Sequence, residues 1–296
     1  MSKNYDSKEK FVEKFETKVK KEKRKDRPIN KNADMTIYPL REKDYIDEDR
    51  YKSLPQVLPK PNFRLLLNCY SGFGKDVIIS NLLLRKDMFD ITNKEKPFID
   101  YFILVSPTAR NDPSQIEMLK WADEYYENFT PQIFNDIKEL QDSKRDEYDS
   151  DSEDEEEPFQ ILLYINDLIG DKTLGRELDL FLPKMRHSNV NLILSLQALK
   201  TKTTSPIVRS NMTHLICSKV MSEKQLASLD EEYTGSFGGK FRELYNYATA
   251  GRYDFLFLYL KKRIAHKCFT QKIFEGDEND NGNNTDIIND ENDECK

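Results

Sequence analysis

Five short runs of the chain are apolar at nearly every position: 63–68 (FRLLLN), 101–106 (YFILVS), 159–167 (FQILLYIND), 190–197 (VNLILSLQ) and 213–218 (THLICS). A strand with one face in water alternates apolar and polar residues, whereas a strand apolar on both faces must be covered on both. The stretches between them, 75–86, 114–127, 172–186 and 222–231, read as helices. Strand and helix therefore alternate, which predicts a doubly wound α/β domain with a mostly parallel central sheet flanked by helices. A further run, 253–260 (YDFLFLYL), reads as one more strand near the end of the sheet.

Charge marks where this domain begins and ends. The 296 residues carry a formal net charge of −7, but it is unevenly spread. Residues 1–30 hold nine lysines and two arginines against six acids, 142–157 hold ten acids against two bases, and 275–296 hold nine acids against one base. Removing these three leaves a mildly basic body. The division read here is a charged N-terminal extension (1–30), a folded domain (31–274) interrupted by an acidic surface insertion loop (142–157), and a disordered acidic tail (275–296). Within the extension, Phe11, Phe15 and Val19 recur every four residues, so a helix there would present one apolar face, as a frayed solvated helix or a docking arm. The prolines at 39, 55, 59 and 61 suggest an extended lead-in to the first strand. Four cysteines without CxxC spacing, with three histidines, do not compose a zinc site. No apolar run approaches the roughly 20 residues that cross a bilayer.

The first strand runs into NCYSGFGKD, and a helical pattern follows. Such a strand–loop–helix binds phosphate when glycines let backbone N–H groups turn inward, a lysine adds a mobile cation, and a Ser/Thr hydroxyl ligates Mg²⁺. The candidate loop comprises Cys69, Tyr70, Ser71, Gly72, Phe73, Gly74, Lys75 and Asp76. Two positions depart from the motif: Cys69 stands where the first glycine belongs, and Asp76 where the Ser/Thr belongs. Taken alone, the altered motif is equally compatible with a tight strand-to-helix turn. The third run ends in Asn166 and Asp167, where a nucleotide hydrolase places acids to hold Mg²⁺ and activate water. Asn166 is a weaker ligand than a carboxylate, so Asp167 is the better candidate. The fourth run ends in Gln197, suited to orienting water beside a γ-phosphate, or to capping a buried strand. Arg186 and Arg209 lie near strand ends and could stabilise phosphate charge or form surface ion pairs.

With those residues in view, the chain resembles the viral genome-packaging ATPases of the FtsK–HerA superfamily, in the poxvirus-type branch of large DNA viruses and virophages. The matching pieces are CYSGFGKD, ILLYIND, LPKMRHSNVNLILSLQ and PIVRSNMTHLI, in family order, with VSPTARND (105–112) resembling the segment after the second strand. The resemblance covers roughly residues 60–260 and leaves both tails unexplained. It implies a P-loop NTPase fold of the RecA-like, FtsK–HerA type and an ATP-driven, ring-forming motor that moves double-stranded DNA into a preformed capsid. It further implies ATP and Mg²⁺ as cofactors, a capsid vertex or other virion protein as partner, and a place in the host cytoplasm, at the viral factory, or in the virion. Lys75 would bind phosphate, Asp167 would be the acid of the second motif, Gln197 the sensor, and Arg186 or Arg209 the finger acting across subunits. Asp76, Asn166 and Asp167 would be the metal-facing residues. One carboxylate missing at Asn166 and one gained at Asp76 suggest compensation at a single metal site. A non-catalytic scaffold for virion assembly is the alternative reading, and another P-loop enzyme such as a nucleotide kinase is a more distant one.

Overall fold

The computed structural model describes residues 51–151, 158–168, 170–185 and 188–276, with only the backbone of 145–151. These residues belong to one compact unit, Tyr45–Lys296. The predicted N-terminal extension, Arg186 and the acidic tail beyond Gly276 lie outside the described residues.

Among the described residues nine strands form one sheet, in the order β3-β2-β4-β5-β1-β6-β7-β8-β9. They are β1 (Arg64–Asn68), β2 (Tyr101–Val105), β3 (Glu124–Tyr126), β4 (Ile161–Asn166), β5 (Val190–Leu196), β6 (His214–Ser218), β7 (Phe255–Tyr259), β8 (Ile264–Lys267) and β9 (Gln271–Glu275). From β3 to β6 all pairings are parallel; β6 to β9 are antiparallel. The helices are α1 (Lys75–Leu84), α2 (Pro113–Leu119), α3 (Gln132–Asp151), α4 (Lys172–Met185), α5 (Pro206–Asn211), α6 (Glu223–Tyr233) and α7 (Phe241–Ala248).

The both-face burial expected of the apolar runs holds residue by residue. In β4, Leu162 and Tyr164 join the core layer of Ile79, Leu82 and Leu83 from α1. The alternate residues Ile161, Leu163 and Ile165 join Leu174, Leu178 and Leu182 of α4 on the other face. A period of two therefore sends the residues of β4 alternately into two apolar layers, with a helix packed on each face. Among the described residues no helix is long and apolar enough to cross a membrane.

Two expectations are corrected. The helix predicted over 114–127 ends at Leu119, and Glu124–Tyr126 instead forms β3. Asp123 fixes this turn, because its carboxylate accepts from Phe102 N–H at 2.8 Å and its own N–H donates to Phe102 C=O at 2.8 Å. The acidic segment read as a loop from 142 begins as helix: residues 142–151 are the second half of α3, and 152–157 lie outside the described residues. The helix is anchored by Ile133, Phe134 and Ile137, buried at helical spacing, with Leu140 packed beside them. The run 253–260 forms β7, near the end of the sheet as expected, and β8 and β9 follow it.

Candidate nucleotide site

The sheet order decides which loops meet. Since β5 lies between β1 and β4, the carboxyl ends of these three strands stand side by side. The end of β5 ties both neighbours: Leu196 C=O accepts from Cys69 N–H at 3.1 Å, and Ser195 C=O from Asp167 N–H at 3.3 Å. Gln197, half-buried, follows directly. The phosphate-type loop, the Asn166–Asp167 pair and the glutamine therefore share one edge of the sheet, where ligands bind in open α/β folds.

The loop itself is held from below. Phe73 is buried and packs against Tyr70, with ring centroids 5.7 Å apart, and its N–H donates to Tyr70 C=O at 3.3 Å. Gly72 and Gly74 adopt φ of +81° and +97°, which L side chains rarely reach. Gly74 is the N-cap of α1 and supplies no side-chain cap, so the first-turn N–H groups of a ten-residue helix are left to an outside acceptor. Cys69, by contrast, is not in the left-handed region. Its position makes no conformational demand for glycine, and the core receives its thiol, which burial pushes up to about 11.

Lys75 opens α1 and is buried. Its Nζ donates to Asn166 Oδ1 at 2.9 Å, forms a close ion pair with Asp167, and lies 4.0 Å from Asp76. Asn166 Nδ2 donates in turn to Asp76 Oδ1 at 3.2 Å, and Tyr164 Oη reaches the same oxygen at 3.5 Å. The two substituted positions are thus direct neighbours, bridged by one amide. Burial holds the Asp76 carboxyl above the usual carboxylate range; Lys75 opposes this, while Asp112 and Asp167 add to it. Two carboxylates share one ammonium, which leaves the cluster an excess negative charge. Asp167 sits at φ +57°, and its Oδ1 is buried without a hydrogen-bond partner. A left-handed non-glycine residue with an orphaned carboxylate oxygen fits a site whose remaining ligand is a cation. Among the described residues no group of three or more His, Cys, Asp or Glu could hold a metal, so a cation here would need oxygens from a ligand beyond Asp76 and Asp167.

Arg209 does not join this cluster. It lies on α5, where Nε pairs with Glu232 at 3.0 Å and Nη1 donates to Thr204 C=O at 2.8 Å, tying α5 to the end of α6. Tyr164 escaped the sequence reading, although its alternation with Asn166 along β4 places both on the α1 face.

A model of the poxvirus A32 protein family matches residues 51–231, more than half of the chain. No curated protein gives a significant match. Solved structures with some likeness include the genome packaging NTPase B204 from Sulfolobus turreted icosahedral virus 2 in complex with ATP-gammaS. It is 14% identical, covers 70% of this chain and 97% of that chain, and has a TM-score of 0.47. Another is the pCW3 conjugation coupling protein TcpA with ATPgS, 16% identical over 71% of this chain and 59% of that one, TM-score 0.44. Both likenesses are remote, and the family match carries the assignment. The chain belongs to the poxvirus A32 protein family, in keeping with the poxvirus-type resemblance of its motifs.

Proposed function

We propose that the chain is an ATP-driven motor that moves double-stranded DNA into a preformed viral capsid, acting as a ring of copies at a capsid vertex in the host cytoplasm. Family membership supports the packaging role, and one observation carries the chemistry. The uncapped N-terminus of α1, Lys75 and the Asn166–Asp167 strand end converge on a single point.

ATP would lay its phosphates on the first turn of α1, where backbone N–H groups face outward, and draw Lys75 from Asp167 toward the β- and γ-oxygens. Asp76 and Asp167 would hold Mg²⁺ together with phosphate oxygens; the ion, when bound, offsets the charge of the phosphates and of the two carboxylates. Where Asp76 and the phosphate oxygens suffice for the ion, Asp167, released from Lys75, would instead accept a proton from the attacking water, and Gln197 would orient that water from the β5 tip. The Glu232 pairing of Arg209 favours a structural use for that residue, which leaves Arg186 as the finger acting across subunits. DNA contacts would be to the backbone, salt-sensitive and indifferent to sequence.

A second reading, a non-catalytic scaffold, draws on the same cluster, since Lys75 is already neutralised and Asp76 brings negative charge beside the phosphates. Mg²⁺-dependent ATP hydrolysis, with and without duplex DNA, separates the two. The motor reading expects turnover stimulated by DNA and a loss of at least about 100-fold in Lys75→Ala. Absence of both binding and hydrolysis in the native chain establishes the scaffold instead.

A further inference from the structure

Tyr253 is the one aromatic among the large apolar side chains that the described residues leave exposed, at 58% of its surface. Its position is not that of a random surface ring. It precedes β7, whose first residue, Phe255, pairs with Ser218 at the end of β6, beside the end of β1. Tyr253 therefore stands at the sheet edge to which β1 delivers the phosphate-type loop. It touches that loop directly, with its ring centroid 6.3 Å from that of Phe73 in an edge-on arrangement. The Arg252 guanidinium lies 5.1 Å from the Tyr253 centroid.

The turn carrying this pair is fixed. Asp254 is buried, accepts from Gly251 N–H at 3.1 Å and pairs with Lys267 of β8 at 3.0 Å. The turn fixes the backbone from which the ring projects, and the contacts with Phe73 and Arg252 restrict its orientation, which lowers the entropy lost on contact. Two other exposed apolar residues stand at the same edge: Met221, just after β6, and Val77, in the first turn of α1. Apolar surface next to a polar phosphate cradle suits a ligand with a flat apolar end and an anionic end.

We propose that Tyr253, with Arg252 packed against it, is the stacking platform for the base of the nucleotide whose phosphates the loop holds. The proposal rests on the nucleotide-binding reading above and adds its base-recognition side. A π-face accepts any base but gains most from the larger purine ring system, so affinity falls from ATP to CTP.

Calorimetric titration of the native chain, Tyr253→Ala and Tyr253→Trp with ATPγS and with tripolyphosphate, both in Mg²⁺, tests it. Tyr253→Ala is expected to weaken ATPγS roughly 5- to 150-fold, the range for one lost base stack, while tripolyphosphate, which has no base, binds unchanged. Tyr253→Trp retains ATPγS binding. Unchanged ATPγS affinity in Tyr253→Ala overturns the proposal. An equal loss for both ligands also overturns it, because the ring would then support the loop through Phe73 rather than meet the base. If the native chain binds neither ligand, the nucleotide reading itself fails and takes this one with it.

Discussion

At the scale of the residue, the three departures from the family pattern, two in the phosphate loop and one at the β4 tip, have different explanations. Cys69 replaces a glycine at a position whose backbone needs none, and its thiol fills core space. Asp76 and Asn166 form one hydrogen-bonded unit around Lys75. Changing either alone upsets the charge balance. Asn166→Asp crowds a third carboxylate onto one ammonium, and Asp76→Thr removes a carboxylate without restoring one at the strand tip. Each is expected to lower ATP turnover, while the double variant recovers it, with a coupling of at least about 1 kcal/mol, or roughly fivefold. Steady-state hydrolysis by the four chains checks this, and additive losses would mean the two positions act independently. The sequence pointed to Lys75, Asp76, Asn166 and Asp167 as one site because each motif sits at the end of an apolar run, β1 or β4, and both are visible in a linear string. Tyr253 was not legible there, since nothing in GRYDF relates the ring to a loop about 180 residues earlier.

At the scale of the element, the long apolar strands were legible and the short or charged elements were not. β3 is three residues, EYY, specified by the Asp123 turn and by Tyr125 Oη donating to Ser106 C=O at 3.0 Å rather than by its own pattern. The second half of α3 is so acidic that its charge masked a helical stripe begun further upstream. One helix contact makes a test. Gly175, inside α4, lies so close to the loop after β5 that a Cβ would stand 2.4 Å from Lys202 C=O. That loop is itself fixed, because Thr203 Oγ1 donates to Leu168 C=O at 3.0 Å. In an isolated helix Gly→Ala stabilises by about 1 kcal/mol. Here Gly175→Ala is expected to destabilise by roughly 1–3 kcal/mol through overpacking, read as a lower urea midpoint with an unchanged slope.

At the scale of the whole molecule, stability should depend on pH through a histidine remote from the site. His214 on β6 is buried, stacks 5.7 Å from Phe257 and bonds Thr213 Oγ1 through Nδ1 at 2.9 Å. Burial first, then Lys262 and Arg64, depress its pKa from 6.5 to about 3. The unfolded chain thus binds a proton below about pH 6.5 that the folded chain refuses until about pH 3. Stability is full above that window and falls as pH drops through it, by roughly 1.4 kcal/mol per pH unit at its steepest. His266 acts in the same sense, its pKa lowered to about 4 by burial. His214→Phe keeps an aromatic ring in the stack but cannot take the proton. Urea unfolding at pH 7, 6 and 5 is expected to show a shallower acid loss in this variant than in the native chain. The lost Thr213 bond shifts its stability equally at each pH, and parallel curves would remove His214 from the account.

The ends of the sheet bear on how copies of the chain can meet. On one side the terminal strand, β3, is only three residues long, too short to template a neighbour. On the other, β9 carries Lys272 and Glu275 in an exposed ion pair at 2.5 Å, and its partner β8 is bulged at Ala265/His266. Both edges are blunted against strand addition. In the ring proposed above, neither described edge invites a neighbour's strand, so contacts made through helices and loops would let each sheet tilt against the next without breaking a shared backbone ladder.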